Sequence, residues 1–502
     1  MQNQPEIITQ EDYLSLQKDL GRQAGIITEL KQKNAYLEAE LAALKRMVFG
    51  SKQERFIPGD NGQLTLGLHP ETMELEEEEP IQVNYSRKKK KRKAVRLELP
   101  AHLPRQSETI EPEGLDSGAK KIGESITEIL EYTPGKIFVK QYIRPRYVQT
   151  DSCGDQTLRI GKLPSLPIPQ GNAGPGLLAH LMISKFIDHL PYYRQVQQFK
   201  RQGVTLAEST ISGWFSATCT LLTPLYELLC EKTLKASYLH ADETPLPVQS
   251  SEKKGATHTG YHWVYRAPEE RLVCFDYRRN RGREGPELFL QGFQGALQTD
   301  GYAAYEVFSH RKGITLLACM AHARRYFEKA LSNDAKRAKQ MLVMIQKLYA
   351  IERKAKEAGY SHQQRYYYRK RMATRILKKM EKWMRVQSAC DTVLPKSGIG
   401  KALSYTQNLW PRLKRYKDNG AWEIDNNQVE NSIRPVALGR KNYLFAGSHQ
   451  AAEHAAMMYS FFGTCKLNGI EPYQWLKDTL NTIADARVND LEKYLPIKQE
   501  EA

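Results

Sequence analysis

Leu239-His240-Ala241-Asp242-Glu243-Thr244 is a short apolar approach that ends in a carboxylate, with Pro245 and Pro247 directly behind it. It reads as a strand, and the two prolines predict that the extended run stops there. Two later stretches repeat the pattern of an approach ending in an acid. Leu297-Gln298-Thr299-Asp300-Gly301-Tyr302 ends in Asp-Gly, and Asp425-Asn426-Asn427-Gln428-Val429-Glu430-Asn431-Ser432-Ile433-Arg434 reads as the start of a helix.

The segments between these stretches are α/β in character. Gly260 to Tyr265 and Leu272 to Tyr277 suit a hairpin, and a helix is expected from Pro286 to Phe293. A strand then reaches Asp300, and the apolar run Ile314 to Cys319 leads into Met320-Ala321-His322-Ala323-Arg324-Arg325-Tyr326-Phe327. Strands with intervening helices and acids at strand ends suit an RNase H-like sheet, and the pattern alone allows other α/β folds as well.

Three acids in this arrangement have a chemical use. Mg²⁺ (or Mn²⁺) prefers hard oxygen ligands and keeps several waters, so a few carboxylates suffice. Two such ions about 3.5–4 Å apart activate a water or a 3′-hydroxyl and stabilise the leaving oxygen of a phosphodiester. Asp242, Asp300 and Glu430 are the candidate catalytic and metal-binding set. Taken singly, any one of the 57 acidic residues is more often a strand-end or helix-cap residue.

At 502 residues with 41% hydrophobic side chains the chain can hold several cored domains. Its net charge of +17 points to a polyanionic partner, nucleic acid or an acidic membrane surface. No apolar run approaches the roughly 18 residues of a membrane span, and the polar N-terminus shows no signal peptide. The seven cysteines are scattered without a C-x-x-C pair, which fits a reduced cytoplasmic setting better than a disulfide framework.

Along the chain, residues 11–49 carry a heptad, with Tyr13, Leu20, Ile27, Asn34, Leu41 and Val48 at one phase and Leu16, Gln23, Leu30, Leu37 and Leu44 at the other. Asn34 at an a position favours a parallel dimer, and a single amphipathic helix packed on its own protein is the alternative. Residues 50–100 form a charged linker, with an acidic block around Glu76–Glu79 and the basic run Arg87, Lys88, Lys89, Lys90, Lys91, Arg92 and Lys93, a candidate phosphate-neutralising segment. Residues 101–170 suggest a small β-rich module with extended runs at 126–132 and 136–147.

Residues 174–235 turn helical. One helix opens at Leu190-Pro191-Tyr192-Tyr193, Gly203 marks a turn, and a second is expected from Ala207 to Leu222 with Ser209, Thr210 and Ser212 near its start. That pattern suits a helix-turn-helix with those three residues toward DNA, and equally an ordinary helical hairpin. Residues 236–332 and 421–458 form the catalytic core in this reading. Residues 333–420, basic and helical, read as an insertion. Within it Tyr366, Tyr367 and Tyr368, flanked by Arg365, Arg369, Lys370 and Arg371, suit contact with a single strand or a solvated helix face. His322 and Arg434 are candidate phosphate-positioning groups, and Cys319 with His322 suits a structural pair better than a zinc site. The tail from about Tyr459 to residue 502 reads as helical.

Taken in order, several of these stretches resemble the bacterial transposases of the insertion sequence 66 family. They are Leu44 to Lys52, Leu99 to Arg105, His240 to Thr244, Thr299 to Tyr302, Ala321 to Arg325, and Asn427 to Gly439 with Phe445-Ala446-Gly447-Ser448. The resemblance implies an Asp-Asp-Glu transposase with an RNase H-like core that cuts element ends and joins them to target DNA, and it carries Asp242, Asp300 and Glu430 over as the triad. It also implies a bacterial, nucleoid-associated enzyme working as a dimer or larger assembly, with accessory proteins of the same element as further partners. Family members usually carry paired zinc-binding cysteines ahead of the helix-turn-helix. Here that region has Glu111-Pro112-Glu113-Gly114 and a lone Cys153, so no zinc is expected.

Overall fold

Five strands form the central sheet of the computed structural model: β3 (Tyr238–Gln249), β4 (Thr257–Ala267), β5 (Leu272–Arg278), β6 (Gly295–Thr299) and β7 (Ile314–Ala318). Their order is β5-β4-β3-β6-β7, with β3, β4 and β5 antiparallel and β6 and β7 parallel to β3. A separate antiparallel pair joins β1 (Arg146–Thr150) to β2 (Gln156–Ile160). The structure describes Gln23, Gly135, 137–143, 146–150, 156–160, 164–169, 171–250 and 255–498. The heptad (Gln23, which is helical, excepted), the basic run Arg87–Lys93, the extended run 126–132 and Cys153 lie outside the described residues. The chain divides into two units, Phe49–Gln141 and the rest. In the first, 137–141 are exposed and carry no regular secondary structure, although a strand was expected there.

Among the described residues from 171 onward, three helices precede the central sheet: α1 (Pro175–Phe186), α2 (Tyr192–Arg201) and α3 (Glu208–Leu234). The turn between α2 and α3 holds Gly203 at φ +81°, a conformation that glycine adopts freely. α3 does not end at Leu222 as expected. Leu225, Leu229 and Thr233 continue its buried face, and that burial carries the helix through Pro224. Cys230 on α3 is joined by a disulfide to Cys274 on β5, with Cα atoms 5.8 Å apart, a pair that the reading of a reduced setting over a disulfide framework did not include, while Cys219, Cys319, Cys390 and Cys465 are free. Spacing along the chain gives no hint of this pair, because the two partners are brought together only by the packing of α3 on the sheet.

The expectation that Pro245 and Pro247 end the first strand is also corrected: β3 runs on to Gln249. β6 pairs with β3 only as far as His240, so beyond it that side of β3 is a free edge. Residues 245, 247 and 249 turn their backbone toward that edge, where Pro247 O accepts from Ala446 N at 2.9 Å and Gln249 N donates to Ala446 O at 2.8 Å. The missing proline N–H groups therefore cost no ladder bonds to β4. α4 (Glu284–Phe289) is shorter than the expected 286–293, because Gly292 turns at φ +83° and sends Phe293 into the core.

After β7 come α5 (Met320–Ala330), then α6 (Ala335–Glu357), α7 (His362–Ser388) and α8 (Gly398–Leu413), before α9 (Asn427–Tyr443), α10 (His449–Asn468) and α11 (Pro472–Thr482). α10 starts ten residues before the helical tail was expected. It lies along β5, an edge strand whose N–H groups need partners. Ser460 Oγ accepts from Phe275 N at 2.8 Å, Thr464 Oγ1 from Val273 N at 3.3 Å, and Asn468 Nδ2 donates to Arg271 O at 3.0 Å. These three polar residues recur every fourth position, so one helix face follows the strand edge.

α6, α7 and α8 pack into a second core that includes Ile345, Leu348, Leu377, Met380 and Leu403. A buried ion cluster ties this layer to the segment before α9. Arg369, fully buried, donates to both Glu352 oxygens and to the carbonyls of Tyr416 and Asn419, and Arg365 bridges Glu352 and Glu423. Arg365 and Arg369 are thus consumed inside the protein, so the expected nucleic-acid contact by these two arginines is not available to them.

Candidate active site

The acids converge because of strand register. His240 on β3 faces Gln298 on the parallel strand β6, so Asp242 and Asp300 stand two residues further on at the same end of neighbouring strands. Adjacent strands lie about 4.8 Å apart, and register partners in parallel strands point to the same face. β7 ends at Ala318 beside Thr299, and α5 begins two residues later, which brings His322 to the same rim. The segment leading to α9 docks there through Met320 N to Ile424 O at 3.1 Å and Asn426 N to Cys319 Sγ at 3.4 Å. Glu430 then falls in the first turn of α9, where the helix dipole favours a negative charge. Arg266 on β4 fixes that turn by donating to Gln428 O at 2.8 Å.

The glycine of the Asp-Gly pair is required by this geometry. Gly301 sits at φ +92°, and a Cβ there would lie 2.5 Å from Leu409 Cδ1. Asp300 Oδ1 accepts from Tyr302 N at 2.8 Å, and the Asp300 carbonyl accepts from Tyr405 Oη at 2.5 Å. Gly301→Ala should lower stability by about 1–3 kcal/mol, read as a shift in the urea midpoint. An unchanged midpoint would mean that the turn relaxes freely.

Electrostatics mark the cluster. Burial pushes the Asp242 carboxyl well above the usual carboxylate range, and the charges of Glu243, Asp300 and Glu430 push it the same way. Glu243 is raised by burial, against the Arg281 guanidinium that donates to it at 2.9 Å. Burial lowers the His322 imidazole against the opposing pull of Glu430, whose Oε1 lies 3.7 Å from Nε2. Arg325 approaches Glu430 Oε2 at 3.6 Å. Arg434 is exposed one turn further along α9, and among the described residues the guanidinium of Arg325 and the imidazole of His322, both on α5, are the basic groups beside Glu430.

Several of these neighbours carried no separate sequence signal. Glu243 directly follows Asp242 and is held by Arg281, whose guanidinium lies 4.0 Å from the Tyr302 ring centre. Tyr405 stacks on Tyr326 with ring centres 4.2 Å apart and reaches Asp300 from the insertion. Gln298, buried between the acids' strands, donates to Glu423 O at 3.1 Å. Arg325 was visible only as part of the Ala321–Arg325 stretch. Cys319 and His322 separate in role: the thiol is buried against Asn426 N, and the imidazole turns to Glu430.

The donor set suits a hard divalent cation: carboxylate oxygens from three elements, with Glu430 Oε1 buried and without a hydrogen-bond partner. Among the described residues no three His, Cys, Asp or Glu side chains stand close enough to ligate one ion together as placed. The helix-turn-helix candidates Ser209, Thr210 and Ser212 are exposed in the first turns of α3. No helix of the described residues is long and apolar enough to cross a membrane.

The profile described as Transposase IS66 family matches residues 170–454, more than half of the chain and all three acids. The chain belongs to the IS66 transposase family. Two further family profiles match, the IS66 C-terminal element at residues 460–497 and Transposase C of IS166 homeodomain at residues 36–107. Relatives extend the same membership. The uncharacterized protein y4jD of Sinorhizobium fredii is 32% identical over 490 residues, covering 92% of this chain and 94% of its own length. The uncharacterized proteins y4hP and y4qI of the same organism are 30% and 29% identical, over 81% and 95% of this chain and 77% and 91% of their own lengths. Membership supports a transposase role, and with it DNA as the partner.

Proposed function

We propose that the protein cuts DNA at the ends of a mobile element and joins the freed 3′-hydroxyl to target DNA, with Asp242, Asp300 and Glu430 as the catalytic carboxylates of an RNase H-like core. The observation that carries this reading is that strand register sets Asp242 and Asp300 at the same end of β3 and β6, and that the segment opening α9, with Glu430 in its first turn, docks beside them through Met320 N to Ile424 O and Asn426 N to Cys319 Sγ. The sheet order, with β4 antiparallel between β5 and β3 and two parallel strands beyond, supports the fold assignment.

Mg²⁺ or Mn²⁺ held by these acids supplies charge stabilisation at the phosphodiester and a more acidic bound water. The chain's own groups orient the reaction. Asp242 and Asp300 face the same opening from neighbouring strands. His322, neutral at neutral pH, and Arg325 border Glu430 and suit the non-bridging phosphate oxygens, with the exposed Arg434 further out. In cleavage, water attacks phosphorus and the strand's 3′-oxygen leaves as a hydroxyl. In joining, that 3′-hydroxyl attacks a target phosphodiester and displaces its 3′-oxygen, so no covalent bond to the protein forms. The basic run 87–93 and Ser209, Thr210 and Ser212 on α3 would hold DNA, and the heptad would pair two chains on two ends. Accessory proteins of the element and a nucleoid setting belong to the same reading.

The test incubates the full chain with labelled duplex carrying the element's ends, in Mg²⁺, Mn²⁺ or chelator, beside Glu430→Gln. Wild type should give metal-dependent nicked and joined products, and the variant about a hundredfold less. Nicks without joined products would leave a nuclease. Equal activity in the variant would remove Glu430 from the site, and binding without any product would leave a DNA-binding regulator.

A further inference from the structure

Almost all of the chain's net charge lies in one region: residues 333–420 hold 22 Lys and Arg against 6 Asp and Glu, a net +16 of the total +17. α7 concentrates it. Arg369, Ala373, Leu377, Met380 and Met384 form the buried seam of this helix. Opposite that seam stand Arg371, Arg375, Lys378, Lys382 and Arg385, all exposed, with exposed Tyr367 one turn before them. Their spacing of three and four residues places all five on one face.

A solvated helix face ordinarily mixes charges of both signs in supporting pairs. Here the only acid on α7 is Glu381, and it pairs with Lys414 of the loop after α8 at 3.5 Å. None of the five cations has an ion-pair or hydrogen-bond partner among the described residues. The nearby Lys370, by contrast, is held by Asp418 at 2.9 Å. Five like charges along one side of a helix repel one another, so the arrangement is unfavourable unless a polyanion neutralises it.

We infer that this face of α7 is a docking surface for the backbone of duplex DNA, separate from the carboxylate site and indifferent to sequence. From Arg371 to Arg385 the stripe runs about 21 Å, the axial length of about six phosphates of one strand. Arg and Lys ends that meet phosphate oxygens neutralise them without carrying sequence information. The buried cluster of Arg365, Arg369, Glu352 and Glu423 fixes α7 to the segment that leads into Glu430, so the surface keeps a constant position relative to α9. DNA bound on it is thereby registered against the catalytic rim instead of tethered loosely.

The inference rests on the DNA-processing function proposed above, but the two fail separately. The experiment measures binding of the full chain to a random-sequence duplex of about 30 base pairs by fluorescence anisotropy across a KCl series. It compares wild type, Asp242→Ala, a variant with all five stripe cations changed to Gln, and one with Arg371, Arg375 and Arg385 changed to Lys. The Gln variant should bind about a hundredfold more weakly at 100 mM salt, and its log–log salt slope should fall by about 4, near 0.9 per lost phosphate contact. The Lys variant and Asp242→Ala should keep the wild-type slope. A Gln variant with unchanged thermal melting and an unchanged slope would overturn the inference, whatever the cleavage assay shows. Loss of polyglutamate binding with DNA binding intact would also overturn it, because the surface would then serve an acidic peptide. If Asp242→Ala cleaves normally while the slope behaves as stated, the catalytic assignment falls and the docking surface stands.

Discussion

Asp242→Asn should melt at a higher temperature than wild type in chelator at neutral pH while losing about a thousandfold or more in strand cleavage, a barrier change of about 4 kcal/mol. Both effects come from one cause. Burial and three neighbouring acids raise the Asp242 carboxyl in the folded protein, so the native state holds its proton more tightly than the unfolded chain does. When the native state binds more protons, stability falls as pH rises. The penalty is absent below the ordinary carboxylate pKa of 3.8, grows as pH climbs toward the raised native value, and is complete above it. The amide removes it. The stability difference between the two proteins should therefore shrink toward zero as pH is lowered to about 3.8. Added Mg²⁺ should raise the wild-type melting temperature and shift the variant less, since a ligand that binds only the native state stabilises it. A variant that melts lower than wild type in chelator would show that Asp242 is paired and not strained.

Arg369→Met should cost about 3–5 kcal/mol of stability, the usual consequence of removing one member of a buried ion pair. Arg369 is wholly buried, donates to both oxygens of Glu352, and closes two further bonds to the carbonyls of Tyr416 and Asn419. Its loss leaves Glu352 to Arg365 alone and two carbonyls without partners. Urea denaturation reads the effect, and the double variant Arg369→Met with Glu352→Leu should recover much of the loss, because no charge is then left buried without a partner. A small effect from the single change would mean that water reaches Glu352. Arg434→Ala, on an exposed face, should stay within about 0.5 kcal/mol and serves as a control.

The sheet was legible wherever alternation and apolar runs could speak: the hairpin of β4 and β5, the approach to Asp300, and the run of β7 into α5 all appear where the residues predict them. What misled was proline. Pro245 and Pro247 look like strand breakers until the topology shows their backbone facing an edge that needs no donor, and Pro224 and Pro435 sit inside helices whose buried faces continue past them. After Pro435, Val436 and Gly439 pack inward and the helix reaches Tyr443. At the site, the three acids could be named because each follows a recognisable approach. Glu243 and Arg325 sat inside recognisable stretches without a signal of their own, while Arg281 and Tyr405 could not be assigned to it, because they come from separate places in the chain and meet Glu243 and Asp300 only through tertiary contact. The same reason hid the roles of Arg365 and Arg369, whose composition suggests a surface and whose partners, Glu352 and Glu423, lie 13 to 58 positions away.

The covering of β5 by α10 bears on where this chain can be divided. The profile of the larger family segment stops at residue 454 and that of the C-terminal element starts at 460, and both limits fall inside α10, which spans His449–Asn468. The hydroxyls that receive the β5 amides, on Ser460 and Thr464, lie beyond the first limit. A fragment ended at 454 would present a bare strand margin to solvent, able to zip onto the same margin of another copy. The seam between the two family segments is therefore a boundary of description, and the folding unit runs straight across it.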